Sequence, residues 1–340
     1  MGIQISEIIP KKEISLKELK GKIIAIDAFN AIYQFLTTIR QIDGTPLMDK
    51  QGRITSHLSG LFYRNINLLL EGIKPVYVFD GKPPELKNAE RDRRNQLKSE
   101  AKEKYNQAKE KGDISEMRKY SQQFVKIDDD IIKQSKELLQ AMGIPVVQAN
   151  GEGEAEASFI ANSGRAWAAA SQDYDSLMYG ATKLIRNLTL SNKRKTSSGV
   201  YVDVNLELVE FDRVLNHLQV NKDQLICLGI LVGTDYNPGG VSGLGQKRAL
   251  EIVRKYKYPV TIFEEVQKSG KYQINFDWQE VYHEFKKPEC CTDEKIIFKK
   301  PDKEKIKSLL LKHDFAENRI DSGLRRLEEA EEKAKQKTLF

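Results

Sequence analysis

The chain predicts an α/β fold built on buried parallel strands, and three observations support that prediction. Two short, nearly all-apolar runs, KIIAI over Lys22–Ile26 and PVYVF over Pro75–Phe79, have the length and composition of strands covered on both faces. Segments of helical character separate them, as in a sheet whose strands are joined by crossover helices. Acids stand at the ends of these runs. Asp27 closes the first, Asp80 the second, and Asp173 and Asp175 follow a third small apolar run, Arg165–Ala170. Ligands of open α/β sheets bind beyond the carboxyl ends of the strands, so repeated acids there point to one shared site.

The elements follow in order. Ala28 to about Arg40 reads as a helix after the first strand. From Lys82 to about Asp130 apolar residues thin out. Lys87, Arg91, Arg93, Arg94, Lys98, Lys102 and Lys104 crowd the first part of that segment, with Glu and Asp interspersed. Two readings stay open there: an exposed, salt-bridged helical hairpin, or a basic helical cover over the acidic site that contacts phosphates. Ile131–Met142 is an amphipathic helix stopped by Gly143, and Ile144–Val147 is the next strand. Thr182–Val204 reads as strands around a polar loop whose tip is Asn192–Lys195.

Gln224–Val232 is an apolar helix, followed by Asp235. A glycine-rich turn, Gly239–Gly245, then leads into a helix starting near Gln246. Glycines before a helix N-terminus expose backbone N–H groups to an anion. Lys247 and Arg248 in that first turn oppose the helix dipole, and a bound phosphate accounts for them better than a plain surface turn does. Lys303–Lys335 is helical, with Leu309, Leu310, Phe315, Ile320, Leu324 and Leu327 able to form an apolar face. The ordered domain is expected over 1–328. The tail 329–340 is expected to fray, with Gln336, Leu339 and Phe340 in a hydrophobic end.

Composition narrows the function classes. The 340 residues carry a net charge of +6 with 31% charged residues, and the pI is near 8.9. This mild basicity permits nucleic-acid binding without establishing it. No apolar run is long enough to span a membrane, and the chain opens on no signal-peptide pattern, so a cytoplasmic protein that is not secreted is expected. The start MGIQIS matches the myristoylation pattern at Gly2 and Ser6, but one acyl chain without a polybasic partner anchors weakly. Three cysteines, two of them adjacent, give no disulfide framework. The histidines are scattered, without zinc spacing.

The chemistry concentrates around GEGEAEAS and SQDYDS. Glu152 and Glu154 stand where a helix begins, and Asp173 and Asp175 sit just past a strand. Four carboxylates this close in sequence repel one another, which cations relieve, and oxygen-only ligands suit Mg²⁺ or Mn²⁺. A solvated acidic loop is the plain alternative for either pair alone.

Taken together, IAIDAFNAIYQF, TSHLSGLFYR, PVYVFDGKPPELK, GEGEAEAS, SQDYDSL and LVGTDYNPGGVSGLGQKRA resemble the flap endonucleases of DNA replication and repair, in an archaeal wording and over nearly the whole chain. The resemblance implies a mixed, largely parallel central sheet flanked by helices, the PIN-like 5′ nuclease fold. It adds a helical arch over about 82–130 and a helix–two-turn–helix motif over about 223–256. It implies two Mg²⁺ ions, with Mn²⁺ able to substitute, held by Asp27, Asp80, Glu152, Glu154, Asp173, Asp175 and Asp235. Lys87 and Arg94 match arch residues at the scissile phosphate, and Tyr33 an aromatic that stacks on the terminal base. Thr55, Arg325 and Arg326 fall in regions that hold a one-nucleotide 3′ flap. The turn with Gly243 and Gly245, followed by Lys247 and Arg248, matches the segment that binds a K⁺ ion and duplex backbone. The implied substrate is branched DNA with a 5′ flap, cut by a monomeric hydrolase that leaves a 5′ phosphate in Okazaki fragment processing and repair, with 5′-3′ exonuclease activity alongside. The implied partner is the sliding clamp (PCNA), through Gln336, Leu339 and Phe340, and the implied setting is the archaeal nucleoid.

The sequence departs from the family pattern at two places. Asn150-Gly151 stands where Pro-Ser is usual, and Asn150 is expected to cap the helix instead. The clamp motif ends early, at Phe340. Other readings fit less of the chain. A DNA-junction binder leaves seven acids without a purpose, because bare carboxylates repel DNA. A phosphatase using DYDS as an Asp-x-Asp nucleophile leaves the arch and the glycine turn idle. A bubble-cutting relative would need a longer insertion between Asp80 and Glu152.

Overall fold

A computed structural model describes residues 3–41, 43–82, 84–189, 193–195, 201–290 and 295–336, and the structural statements below concern those residues. In chain order the elements are β1 (Lys12–Ile14), β2 (Ile23–Asp27), α1 (Ala28–Thr38), α2 (Ser56–Leu70), β3 (Lys74–Phe79), α3 (Asn88–Glu110), α4 (Ile114–Ser121), α5 (Asp129–Ala141), β4 (Val146–Gln148), α6 (Gly153–Asn162), β5 (Ala168–Ala170), α7 (Asp175–Tyr179), β6 (Lys183–Arg186), β7 (Lys193–Lys195), β8 (Tyr201–Asp203), β9 (Leu206–Glu210), α8 (Phe211–Leu218), α9 (Lys222–Val232), α10 (Gln246–Lys255), α11 (Pro259–Lys268), α12 (Trp278–Lys286), α13 (Lys303–Lys312) and α14 (Glu317–Gln336).

Seven strands form one sheet in the order β1-β9-β6-β5-β2-β3-β4. β2 pairs with β3 and with β5 in parallel, and β3–β4 and β5–β6 are parallel as well. β9 is antiparallel to both β6 and β1, which makes the sheet mixed. Side chains alternate across it, so each strand feeds two cores. Ile24, Ile26, Tyr77, Phe79, Ala168 and Ala170 pack on one face with residues of α1, α2, α5, α13 and α14. Ala25, Val76, Val78, Val147 and Ala169 pack on the other with Ala157, Ile160 and Ala161 of α6. This double burial explains why the strands read as continuous apolar runs. A third core joins α7 and α9 to α12 through Leu228, Leu231, Leu250, Phe263 and Phe285.

The structure corrects three expectations. Lys193–Lys195 is strand β7, paired with Tyr201–Asp203, and not the tip of the polar loop. Asn192 lies outside the described residues. α14 runs past Glu328 to Gln336, because Ala330 still reaches a buried position. Asn150 does not cap α6. Glu152 takes the N-cap position, while the Asn150 and Gly151 carbonyls accept from the Lys82 and Gly81 N–H groups at 3.0 and 2.7 Å. Gly81 permits that approach. A Cβ there would lie 2.2 Å from the Ala149 and Asn150 carbonyl oxygens. Among the described residues no helix is long and apolar enough to cross a membrane. Gly2, of the myristoylation pattern, and Leu339 and Phe340, of the clamp motif, lie outside the described residues.

Candidate active site

The parallel strands end on one edge of the sheet, and the acids gather there. Asp27 is both the last residue of β2 and the N-cap of α1, where its Oδ1 accepts from the Asn30 N–H at 3.0 Å. Asp80 follows β3, and its Oδ1 accepts from the Gly153 N–H at 2.6 Å, so it is tied to the start of α6. Glu154, in the first turn of α6, accepts from the Ser176 N–H and hydroxyl at 3.0 and 2.5 Å. Asp175 opens α7 and accepts from the Ile3 N–H at 2.8 Å. Asn30 Nδ2 donates to Asp173 Oδ2 at 3.4 Å. Asp80, Glu154, Asp173 and Asp175 are each aimed by a backbone or side-chain donor from another element, and Asp27 by the helix it caps, which is how residues distant in sequence come to share one place.

Their electrostatics show how close they are. Burial, then Asp80, Asp173 and Glu152, push the Asp27 carboxyl up to about 8. Asp80 keeps a side open to solvent, yet the protein around it and the Glu152 charge raise it to about 6. Burial and Asp173 take Asp175 to about 7. Glu154 is raised well above the usual carboxylate range by burial, then by Asp175, Asp173 and Asp27. The seven sequence-predicted acids therefore form one network of mutual repulsion.

Two cations enter that network from the short helical turn Glu85–Lys87 and from α3. Lys87 Nζ lies 2.5 Å from Glu152 Oε2 and 3.8 Å from Asp235 Oδ2. Burial works against its charge, but Glu152 and Asp235 outweigh burial and hold Lys87 above the ordinary lysine range. Arg94 Nη2 donates to Asp235 Oδ1 at 2.6 Å, and its Nε donates to Glu90 Oε1 at 2.7 Å. Both open readings of the basic segment thus hold in part. α3 carries solvent-facing lysines, while its first two turns and the residue before it reach the acids.

The donor set fits hard divalent cations. It is all carboxylate oxygen, it is crowded, and it lacks enough local positive charge to neutralise it. Among the described residues no three His, Cys, Asp or Glu side chains already stand as a closed cation cage. Lys87 stands between Glu152 and Asp235, and Arg94 rests on Asp235.

Sequence reasoning missed Glu90, Tyr236 and Tyr179 here. Glu90 is buried and accepts from both Arg93 and Arg94, and its carboxyl is held down at about 2 by the Arg93 hydrogen bonds first and Arg94 second. Its signal was available, since an acid four residues before an arginine pairs on a helix face. Tyr236 and Tyr179 carried no such signal. Their hydroxyls meet at 2.7 Å beside Glu152. Glu156, the third glutamate of GEGEAEAS, is fully buried on α6 with Arg165 4.0 Å away.

The remaining predicted residues lie further out. Gly243, Gly245, Lys247 and Arg248 line an open cleft of about 830 Å³ together with Asp173 and Arg186, so the glycine turn and the acid site share a groove. Gly243 has a φ of +77°, whereas Gly245, the N-cap of α10, sits at −76° with open space around it. Of the two, only Gly243 has a backbone need for glycine. Tyr33 is exposed on α1. Thr55 is buried before α2, whereas Arg326 donates to Asn67 Oδ1 at 2.6 Å near the far end of that helix. Twelve residues of helix span roughly 18 Å, so Thr55 and Arg326 are not brought together. The segment that reaches the loop before Thr55 is Lys312–Asp314, through Arg53, Asp49 and the Lys50 N–H.

Comparison with known proteins fits this geometry. Residues 1–101 match the XPG N-terminal domain and residues 143–235 the XPG I-region. Proteins called Flap endonuclease 1 from Pyrococcus furiosus and Hyperthermus butylicus are 52% and 50% identical to the chain. Those alignments cover 100% and 97% of it, and 98% and 95% of the relatives. The chain belongs to the flap endonuclease family. The solved flap endonuclease-1 from Methanococcus jannaschii matches its fold with a TM-score of 0.77 at 40% identity, over 98% of this chain and 100% of that one. A Rad2 catalytic core solved with DNA substrate matches at a TM-score of 0.72 and 22% identity, over 96% and 100% of the two chains, and attests the fold alone.

Proposed function

We propose that this chain cuts branched DNA at the junction of a 5′ flap and a duplex, by hydrolysis of one phosphodiester bond that leaves a 5′ phosphate. The observation that carries this is the gathering of seven carboxylates with Lys87 and Arg94 at the carboxyl edge of the sheet. A DNA binder without chemistry would gain nothing from acids that repel phosphates. Asp27, Asp80, Glu152, Glu154, Asp173, Asp175 and Asp235 would hold two Mg²⁺ ions, or Mn²⁺ in their place. Bound there, these ions supply Lewis acidity for hydrolysis.

The chain's own residues do the rest. Glu90 and Asp235 fix Arg94, and Glu152 and Asp235 fix Lys87, so both cations are in place before a phosphate arrives. Charge that grows on the phosphate oxygens is then met without reorganisation. Tyr33 offers an exposed ring for the terminal base. The Gly239–Gly245 turn, with Lys247 and Arg248, takes duplex phosphates through backbone amides and would hold a K⁺ ion, and the shared cleft keeps that anchor continuous with the acids. Gln336, Leu339 and Phe340 dock a sliding clamp, and the enzyme works as a monomer on nucleoid DNA with 5′-3′ exonuclease activity alongside.

The test is cleavage of end-labelled 5′-flap DNA with Mg²⁺ and with chelator, beside nicked duplex and single strand. Product one step from the junction, only with the cation, is expected. Equal cutting of all three DNAs, or none with the cation, would reject the reading.

A further inference from the structure

We propose that Tyr236 is a positioning residue for Lys87, and that Tyr179 holds Tyr236 in that role. The inference rests on the reading of Lys87 as a transition-state charge, and it concerns a residue outside the acid-and-base set.

Lys87 stands over the face of Tyr236, with Nζ 4.9 Å from the ring centroid. Its other neighbours are Glu152 at 2.5 Å and Asp235 at 3.8 Å. Two carboxylates on one side would draw a flexible lysine down among them. The ring supplies a third, broad contact that fixes where the ammonium lies, and the ring is itself fixed. The Tyr179 hydroxyl donates to Glu152 Oε2 at 3.4 Å, which leaves Tyr236 as the donor in the 2.7 Å contact between the hydroxyls. Phe285 packs against both rings, with centroids at 5.0 and 5.1 Å. Lys87, Tyr236, Tyr179 and Glu152 thus close a ring of contacts. Both phenols are nearly buried, so neither turns toward water.

A lysine stem has four rotatable bonds, and a charge acts on a transition state only where it is held ready. Asp235 adjoins Tyr236 in sequence, so the carboxylate and the ring that steer Lys87 move as one piece. The hydroxyl serves only to orient the ring, and the π face is what Lys87 contacts. This separation makes the role testable.

Single-turnover cleavage of 5′-flap DNA at saturating enzyme, DNA affinity and melting temperature are measured for Lys87→Ala, Tyr236→Phe, Tyr236→Leu and the Tyr236→Leu/Lys87→Ala pair. Tyr236→Phe keeps the face and is expected within about three-fold of the parent rate. Tyr236→Leu is expected to slow the step roughly ten-fold or more with affinity unchanged, and to add little once Lys87 is already alanine. Should Tyr236→Leu unfold, mono-, di- and trifluorophenylalanine at 236 keep the shape and weaken the π face stepwise. The rate should then fall with each fluorine, which a packing role would not produce. A flat fluorine series, or a Tyr236→Leu penalty of equal size in both backgrounds, overturns the proposal. If Lys87→Ala alone cuts at the parent rate, the reading of Lys87 fails first and this inference falls with it.

Discussion

Lys87 Nζ lies 2.5 Å from Glu152 Oε2, at a sequence distance of 65 residues. A buried ion pair of this kind contributes little net stability, because desolvation offsets attraction. It makes better sense as a charge stored for use. The pair joins the turn before α3 to the start of α6, so it fixes the helical segment over the acids. Arg94 repeats the device two turns further on with Asp235 and Glu90.

Lys87→Ala and Arg94→Ala should lower the single-turnover rate by about 10²-fold or more, the usual penalty for removing one preorganised transition-state donor. Flap-DNA affinity should fall far less. Glu90→Gln should show a smaller effect in the same direction, because Arg94 keeps Asp235 and gives up only one anchor. Rates and affinities read side by side decide this. A deficit seen only in affinity makes both cations phosphate anchors.

The acid site should also set how stability depends on pH. Asp27, Asp80 and Asp175 titrate at about 8, 6 and 7, above the usual carboxyl value, with Glu154 raised as well. The folded chain therefore keeps protons that the unfolded chain has released. Metal-free stability is greatest near the unfolded carboxyl value and is lost as pH rises toward about 8, the reverse of the common salt-bridged carboxylate. A divalent cation needs the ionised forms, so its stabilising effect should grow over the same window. Asp175→Asn should raise the metal-free melting temperature near pH 8, reduce the shift produced by Mg²⁺ and abolish cleavage. Melting curves in chelator and in Mg²⁺ between about pH 5 and pH 8 give the answer. A metal-free melting temperature that climbs across that window contradicts the assignment.

What was legible in the sequence was what local pattern encodes. Strands buried on both faces need unbroken apolar residues, so β2 and β3 were readable in KIIAI and PVYVF, and the acids at their ends followed from chain direction. β1 and β9 were not. KEI and LELVE are short and charged, and only pairing at the sheet edge makes them strands. The cap of α6 went to Glu152 and not to Asn150, because backbone pairing with Lys82 holds Asn150 in the loop. Tyr236 and Tyr179 meet across 57 residues, and no local spacing announces such a meeting. Thr55 and Arg326 were grouped by resemblance, and the length of α2 separates them.

The glycine turn gives the last prediction. Lys247 and Arg248 stand exposed in the first turn of α10, where they oppose the helix dipole and line the cleft that continues to Asp173. They cost the free helix something, and a phosphate beside them reverses that cost. Removing both as Lys247→Ala/Arg248→Ala should weaken duplex binding and flatten the plot of log affinity against log salt by about two, near one for each phosphate no longer neutralised. Single-turnover cleavage at saturating enzyme should barely change, because neither residue touches the acids. Gly243→Ala should weaken duplex binding too, since its φ of +77° strains any side chain, whereas Gly245→Ala has no such strain and should bind more nearly like the parent. A double variant with the parent's affinity and salt slope would remove the turn from the DNA path and leave its glycines only the task of reversing the chain.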